Sequence, residues 1–145
     1  MNNFSSLYNV VKSFGELHNM INEVVLVNSE DELDNREFNY RSMVIMPLEA
    51  NISRNLNSPV YDIGFGIIII DKVLSENDEA NIQSIEENIF VIGQFQDYLE
   101  TEGYDTEFGS VDLSNTNMDD YNITTAITDF TFTVARKPYN RGIDI

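Results

Sequence analysis

Residues 58–73 read SPVYDIGFGIIIIDKV, the most apolar stretch of a 145-residue chain whose formal net charge is −17. A strand turns alternate side chains to opposite faces. That places Ile63, Phe65, Ile67 and Ile69 on one side and Gly64, Gly66, Ile68 and Ile70 on the other. Both sets are apolar, and a strand apolar on both faces belongs at the centre of a sheet, covered on each side. Ile63, Phe65, Ile67, Ile68, Ile69 and Ile70 are therefore expected to form a buried central strand. Gly64 and Gly66 leave one face flat, where a helix or a second backbone approaches closely. Two helices cover one side; in one small domain the other side needs a second sheet or another subunit.

Two segments have the spacing for those helices. From Phe4 to Val25, apolar residues fall at Leu7, Val10, Val11, Phe14, Leu17, Ile21, Val24 and Val25. Steps of three and four put them in one stripe, which predicts an amphipathic helix over that whole span. Asn3 or Ser5 caps its start. Gly15 lies inside it at a cost of about 1 kcal/mol relative to Ala, and marks a close packing contact. A second helix is expected over 81–101, with Ile82, Ile85, Ile89, Ile92, Phe95 and Leu99 stepping by three and four, and Phe90, Val91 and Tyr98 widening the stripe. Gly103 suits its stop.

The remaining segments read as strands and connections. Residues 28–41, NSEDELDNREFNYR, form an acidic loop with Phe38 and Tyr40 as anchors. SMVIMPLEANIS, from Ser42, is a strand with Met43 and Ile45 on one side and Val44, Met46 and Leu48 on the other. Pro47 has no N–H for a ladder, so that strand is at an edge, or bulged, near this point. RNLNSP is a turn, YDTEFGSVDL a short strand and SNTNMDDYN a polar turn. ITTAITDFTFTVARK is a Thr-rich strand with Phe130, Phe132 and Val134 on one side. The resulting order is helix, two strands, helix, two strands (α-β-β-α-β-β), without internal repeat. This indicates an α+β fold: a largely antiparallel sheet with two amphipathic helices packed on one face.

Length suits one domain, assigned to residues 1–135, followed by a basic C-terminal tail at 136–145. With no cysteine, disulfides, iron–sulfur clusters and thiolate zinc sites are excluded. The opening MNNFSSLYNVV lacks the pattern of a secretory signal. The longest apolar run, Ile63 to Ile70, is far short of the roughly 20 residues of a membrane helix, so a soluble protein with no membrane partner is expected. Charge is uneven: between Val73 and Ala135 there are fourteen aspartates and glutamates and no lysine or arginine. The tail then holds Arg136, Lys137 and Arg141, with Tyr139 between them. Nucleic-acid affinity depends on cationic contacts that release counterions, so tight binding of free DNA or RNA is not expected. An acidic surface meeting a basic segment of a partner copy is the reading that gives this asymmetry a use, and Arg136, Lys137, Tyr139 and Arg141 are its interface candidates.

Catalytic signatures are lacking. His18, the single histidine, sits at the border of the first apolar stripe and reads as a packing or surface residue. Two acidic loops, one from Asp71 and one running through Asp112, Ser114, Thr116 and Asp120, invite a calcium reading. Calcium loops of the EF-hand type need Gly at the sixth position, where these have Glu76 and Asn117. Gly64-x-Gly66 lacks the third glycine of a nucleotide fingerprint and is inside a strand. There is no Walker loop, HExxH or GxSxG. The sequence predicts no catalytic residues, no metal site and no cofactor.

Taken whole, the chain resembles the small neck and tail-completion proteins of tailed bacteriophages, including the tail-terminator-like ring proteins of crAss-like phages. The likeness spans nearly the full chain. It lies in the opening NFSSLYNVVKSFGELHNMINEV, the following MVIMPLEANI, the apolar strand before DKVLSENDEANIQSIEENI, and the closing TTAITDFTFTV. The resemblance implies a non-enzymatic structural virion protein forming a homo-oligomeric ring of six or twelve copies in the neck or tail connector. Its implied partners are portal, neck and tail proteins, with genomic DNA passing through without specific binding. Its implied location is the virion, assembled in the host bacterial cytoplasm. It assigns a role and no site residue. The competing classes are a calcium-dependent binding module and an acidic nucleic-acid mimic that inhibits a nuclease.

Overall fold

A computed structural model of the chain describes residues 3–28, 32, 37–53 and 59–135. The elements run α1 (Phe4–Leu17), β1 (Glu23–Leu26), β2 (Ser42–Ile52), β3 (Val60–Leu74), α2 (Asp78–Thr101), β4 (Thr106–Asn117) and β5 (Tyr121–Ala135). The five strands form one mixed sheet in the order β1-β2-β3-β5-β4. The fold is α+β as expected, with one helix-to-strand order corrected to α-β-β-β-α-β-β. Three pairings are antiparallel, and β1 pairs with β2 in parallel.

The strand missed by periodicity is β1. The helix expected to reach Val25 ends at Leu17, capped by His18 in an extended conformation. Ile21, Val24 and Val25 fit helical spacing, but EVVLV is also a β-branched run with strand alternation. In the fold Val24 and Leu26 pack on the helix side of the sheet, while Val25 and Val27 take the opposite side. The Asn22 N–H donates to the Arg41 carbonyl at 2.8 Å, opening the parallel ladder with β2. Upstream, the Asn3 side chain accepts from the Ser6 N–H at 2.9 Å, and Ser6 returns the bond in a capping box. Gly15 makes the close contact expected of it: a Cβ there would lie 2.6 Å from Val24 Cγ2 and 2.8 Å from Met43 Sδ.

The central strand is placed as its alternation predicts. Ile63, Phe65, Ile67 and Ile69 enter the main core with Leu7, Val11 and Phe14 of α1 and Val91, Ile92, Phe95 and Leu99 of α2. Both helices therefore cover the same face. β5 supplies the other wall, with Phe130, Phe132 and Val134 buried on the side predicted for them. Phe65, Phe95, Phe130 and Phe132 form edge-on and stacked pairs at 5.1–5.9 Å, arrangements that add to their burial.

The opposite face corrects an expectation. It needs neither a second sheet nor another subunit to bury Ile68 and Ile70, each only 5% exposed in the single chain. Val25, Val27 and Val44 pack there, with Phe38 and Tyr40 folded over them as the loop anchors and Ile123 and Ile127 beside them. Burial raises the Tyr40 hydroxyl above its usual pKa, with Tyr121 and Glu37 adding to the effect. The flat ground at Gly64 and Gly66 receives no helix. Glu49 lies over Gly64, and Leu48 and Asp129 over Gly66.

Both margins of the sheet are irregular. β1 pairs with β2 only as far as Ile45, and the β2–β3 register shifts between Pro47 and Glu49, the bulge that Pro47 announced. β4, the other margin, runs on to Asn117, so the turn expected at 114–122 shrinks to Met118–Asp120. Its register with β5 shifts between Phe108 and Val111.

Candidate functional site

Helix α2 is where sequence pattern and fold part company. It starts from Asn77, whose side chain accepts from the Ala80 N–H at 3.0 Å, with Asp78 and Glu79 favourably placed at the positive end of the helix. It stops at Gly103, whose φ of +81° glycine adopts without strain. There the Gly103 N–H bonds the Glu100 carbonyl and the Tyr104 N–H bonds the Leu99 carbonyl, a Schellman motif.

Along the C-terminal half, Val91, Ile92, Phe95 and Leu99 are buried, as their spacing predicts. Along the N-terminal half the buried residues are Asn81, Ser84 and Asn88, and the expected stripe is turned outward: Ile82 is 59%, Ile89 42% and Phe90 55% exposed. Ile85 is half-buried. The reason is a polar network beneath the helix. Arg41, 8% exposed, donates from Nη2 to Asp71 Oδ2 at 3.0 Å and Glu87 Oε2 at 2.7 Å, and from Nε to Asn88 Oδ1 at 2.9 Å. Asn88 Nδ2 donates to Thr124 Oγ1 at 3.1 Å, and Ser84 Oγ donates to Asp71 Oδ2 at 2.7 Å. Ser84 and Thr124 oxygens are 2.6 Å apart; since Ser84 gives its proton to Asp71, Thr124 donates to Ser84. Asn122 Nδ2 reaches Asn81 Oδ1 at 2.7 Å, and Asn81 Nδ2 bonds the Leu74 and Asn77 carbonyls.

A buried guanidinium without partners is costly, so the helix must offer its polar positions inward. That forces Ile82, Ile89 and Phe90 to face out. Glu87 has its pKa lowered, first by the Gln83 amide bonded to it at 2.9 Å, with burial opposing and Arg41 adding to the lowering. The network ties the entry to β2 to β3, β5 and α2. It contains no imidazole: the single histidine, His18, accepts from the Met20 N–H at Nδ1 and bonds Gln94 through Nε2 at 2.6 Å, a packing role against Phe14. The polar spacing of Asn81, Ser84 and Asn88, in steps of three and four, was the signal available in the sequence.

The outward face of α2 thus carries Ile82, Ile89 and Phe90 with exposed Glu86 among them and exposed Glu79 and Asp97 toward its ends. At 100° per residue, Ile82, Glu86, Ile89 and Gly93 fall along one line. A Cβ at Gly93 would meet nothing within 4 Å, so this position faces open space.

Other sequence candidates are distributed as follows. The two acidic loops come together: the Ser75 N–H bonds the Asp120 carbonyl at 3.2 Å, and Ser75 Oγ the Asp119 carbonyl at 2.8 Å. They border a cleft of about 560 Å³ whose walls include Glu76, Asp78, Asp119 and Asp120. Asp112, Ser114 and Thr116 belong to strand β4 instead of a loop, while Asp71 serves Arg41. Among the described residues no group of three or more His, Asp or Glu is arranged to hold a metal ion. On the outer sheet face a groove of about 370 Å³ lies between Tyr40, Ile70, Met118 and Ile123. Lys72, the last cation before the cation-free stretch, sits 4.0 Å from the Tyr121 ring centroid. No described helix is long and apolar enough to cross a membrane. Arg136, Lys137, Tyr139 and Arg141 lie outside the described residues. No family model matches this chain, and no curated protein matches its sequence.

Proposed function

We propose that this chain is a structural subunit that assembles with copies of itself into a ring in the neck or tail connector of a tailed bacteriophage. In this reading the ring, of six or twelve copies, joins portal to tail and stacks on other neck, portal and tail proteins. Genomic DNA passes through it, and assembly takes place in the host bacterial cytoplasm. No reaction is assigned to it. The observation that carries the proposal is the inversion of α2, which leaves Ile82, Ile89 and Phe90 outside although the chain spends buried polar residues to keep them there. Exposed apolar residues gathered on one element and rimmed by polar ones mark a protein contact.

Charge supports the conduit role. Fourteen carboxylates without a lysine or arginine between Val73 and Ala135 give a surface that repels phosphate, and a channel for passing DNA must not hold it. The resemblance of the opening helix, the MVIMPLEANI strand and the Thr-rich closing strand to tail-terminator-like proteins points the same way. Multi-angle light scattering and negative-stain microscopy of the purified chain, alone and with its neck partners, test the proposal. Rings of six or twelve copies are the expected result. Monomers at every concentration and in every mixture would overturn it.

A second reading follows from the same acidic surface: a nucleic-acid mimic that occupies the basic groove of a nuclease. Stoichiometric inhibition of a basic nuclease by a chain that remains monomeric would favour it over the ring.

A further inference from the structure

We infer that the groove on the outer face of the sheet is a binding site for a small aliphatic carboxylate, with Lys72 holding the head group. The inference is independent of the ring reading and concerns the side of the sheet away from both helices. Strand register builds the floor. Between β3 and β5, Ile68 pairs with Ile127, Ile70 with Thr125 and Lys72 with Ile123; β4 adds Ser114 beside Thr125 and Thr116 beside Ile123. Tyr40 stands along one flank and the hydroxyls of Ser114 and Thr116 along the other. A volume of about 370 Å³, lined mostly by apolar side chains with a few polar groups to one side, is the usual make-up of a small-ligand pocket.

Charge selects the head group. Among the described residues the lysines and arginines are Lys12, Arg41 and Lys72. Lys12 is on α1 and Arg41 is buried beneath α2, so Lys72, two residues beyond Ile70, is the cation on this face of the sheet. Its ammonium lies 4.0 Å from the Tyr121 ring centroid and 6.0 Å from that of Tyr40, and it forms no ion pair among the described residues. In a chain of net charge −17, an exposed ammonium with aromatic rings for neighbours keeps its charge available to an anion. One ammonium suits a carboxylate better than a phosphate, whose second charge the acidic surface opposes. The far end has the opposite sign, because exposed Asp112 lies beside Ile127. Direction follows: the head group at Lys72 and the tail toward Ile127. From Ile68 to Lys72 the strand rises about 13 Å at roughly 3.3 Å per residue, room for a medium-length alkyl chain.

The test titrates the full-length chain, methyl-labelled at isoleucine, with octanoate, octanol and octylamine at neutral pH and follows the isoleucine methyl resonances by NMR. Octanoate is expected to shift Ile68, Ile70, Ile123 and Ile127, with half-saturation at about 1 mM or below, as burial of its chain supports. Octanol should bind roughly fivefold more weakly, the worth of a single exposed ion pair, and octylamine more weakly still. Two variants complete the test, both at exposed strand positions that tolerate the new side chain, with circular dichroism showing that each is folded. Lys72→Met should weaken octanoate roughly fivefold and leave octanol unchanged. Thr116→Phe, which fills the groove, should abolish binding of both. No shift with octanoate up to about 10 mM would overturn the site. So would shifts confined to Ile82 and Ile89 of α2, or binding that Thr116→Phe leaves intact. Octanol equal to octanoate, or octanoate indifferent to Lys72→Met, would overturn the carboxylate.

Discussion

The two halves of α2 share one helix and one face of the sheet, yet solve burial in opposite ways. From Val91 to Leu99 the inward side chains are apolar and meet Phe14, Phe130 and Phe132. From Asn81 to Asn88 they are polar and meet Arg41, Thr124 and Asn122. The first arrangement draws its stability from area removed from water. The second balances a desolvated guanidinium against acceptors at Nε and Nη2, which is weak as a source of stability but intolerant of loss. The lesson is that a polar network set under a helix reverses which side of it is left exposed.

Six substitutions sharpen or break this contrast. Phe95→Ala removes the ring at the centre of the apolar half and should cost about 3–5 kcal/mol in denaturant titration. A loss below about 1 kcal/mol would mean that the apolar half is not the anchor. Arg41→Ala strips Asp71, Glu87 and Asn88 of their shared donor. It should cost about 3 kcal/mol, toward the low end for a broken buried pair because Glu87 stays 32% exposed. Pairing it with Asp71→Ala should recover part of that loss; additive losses would show that the two do not act as a unit.

Acid should act mainly on the polar half. Because the folded-state pKa of Glu87 is lowered from 4.5, its contribution is present above that value and is lost as pH falls through the folded value. The difference in unfolding midpoint between the natural chain and Glu87→Gln should therefore shrink below about pH 4.5. A difference independent of pH between 3 and 7 would contradict the assignment. The smallest effect is expected on the outer strip. Gly93→Ala, with space for its methyl, should stabilise the single chain by up to about 1 kcal/mol. Ile89→Ser should stay within about 0.5 kcal/mol in the single chain. A larger loss at Ile89 would show that the strip belongs to the core after all.

Much of the fold was legible because one signal dominated locally. The alternation of residues 63–70 placed the central strand and sorted its two faces. Pro47 located the bulge, Gly103 the helix stop, and Gly15 the tight crossing of α1 over Val24 and Met43. The helix overran at Ile21, Val24 and Val25 because their spacing extends the helical stripe, while Val24, Val25, Leu26 and Val27 equally suit a strand apolar on both faces, and only pairing with β2 decides between them. Covering of Ile68 and Ile70 by Phe38 and Tyr40 was half visible: the anchors stood out in a polar loop, but not the face they would reach. The orientation of α2 was concealed for a different reason. Its apolar residues suggest one inward face and its polar residues another, and the choice depends on Arg41, which lies 40 residues earlier in the chain.

The frayed borders of the sheet also matter for how growth stops. Strands left open along their length invite copies to add without limit, in the manner of a fibril. Here one border carries Pro47 and a bulge beside Glu49, and the other carries a bulge beside Glu107 and Asp112. Both break the even row of donors and acceptors that a newcomer would have to match, and both place negative charge where an identical border would bring its own. Endless stacking edge on edge is thereby disfavoured, so the ends of the sheet mark where strand pairing between copies stops.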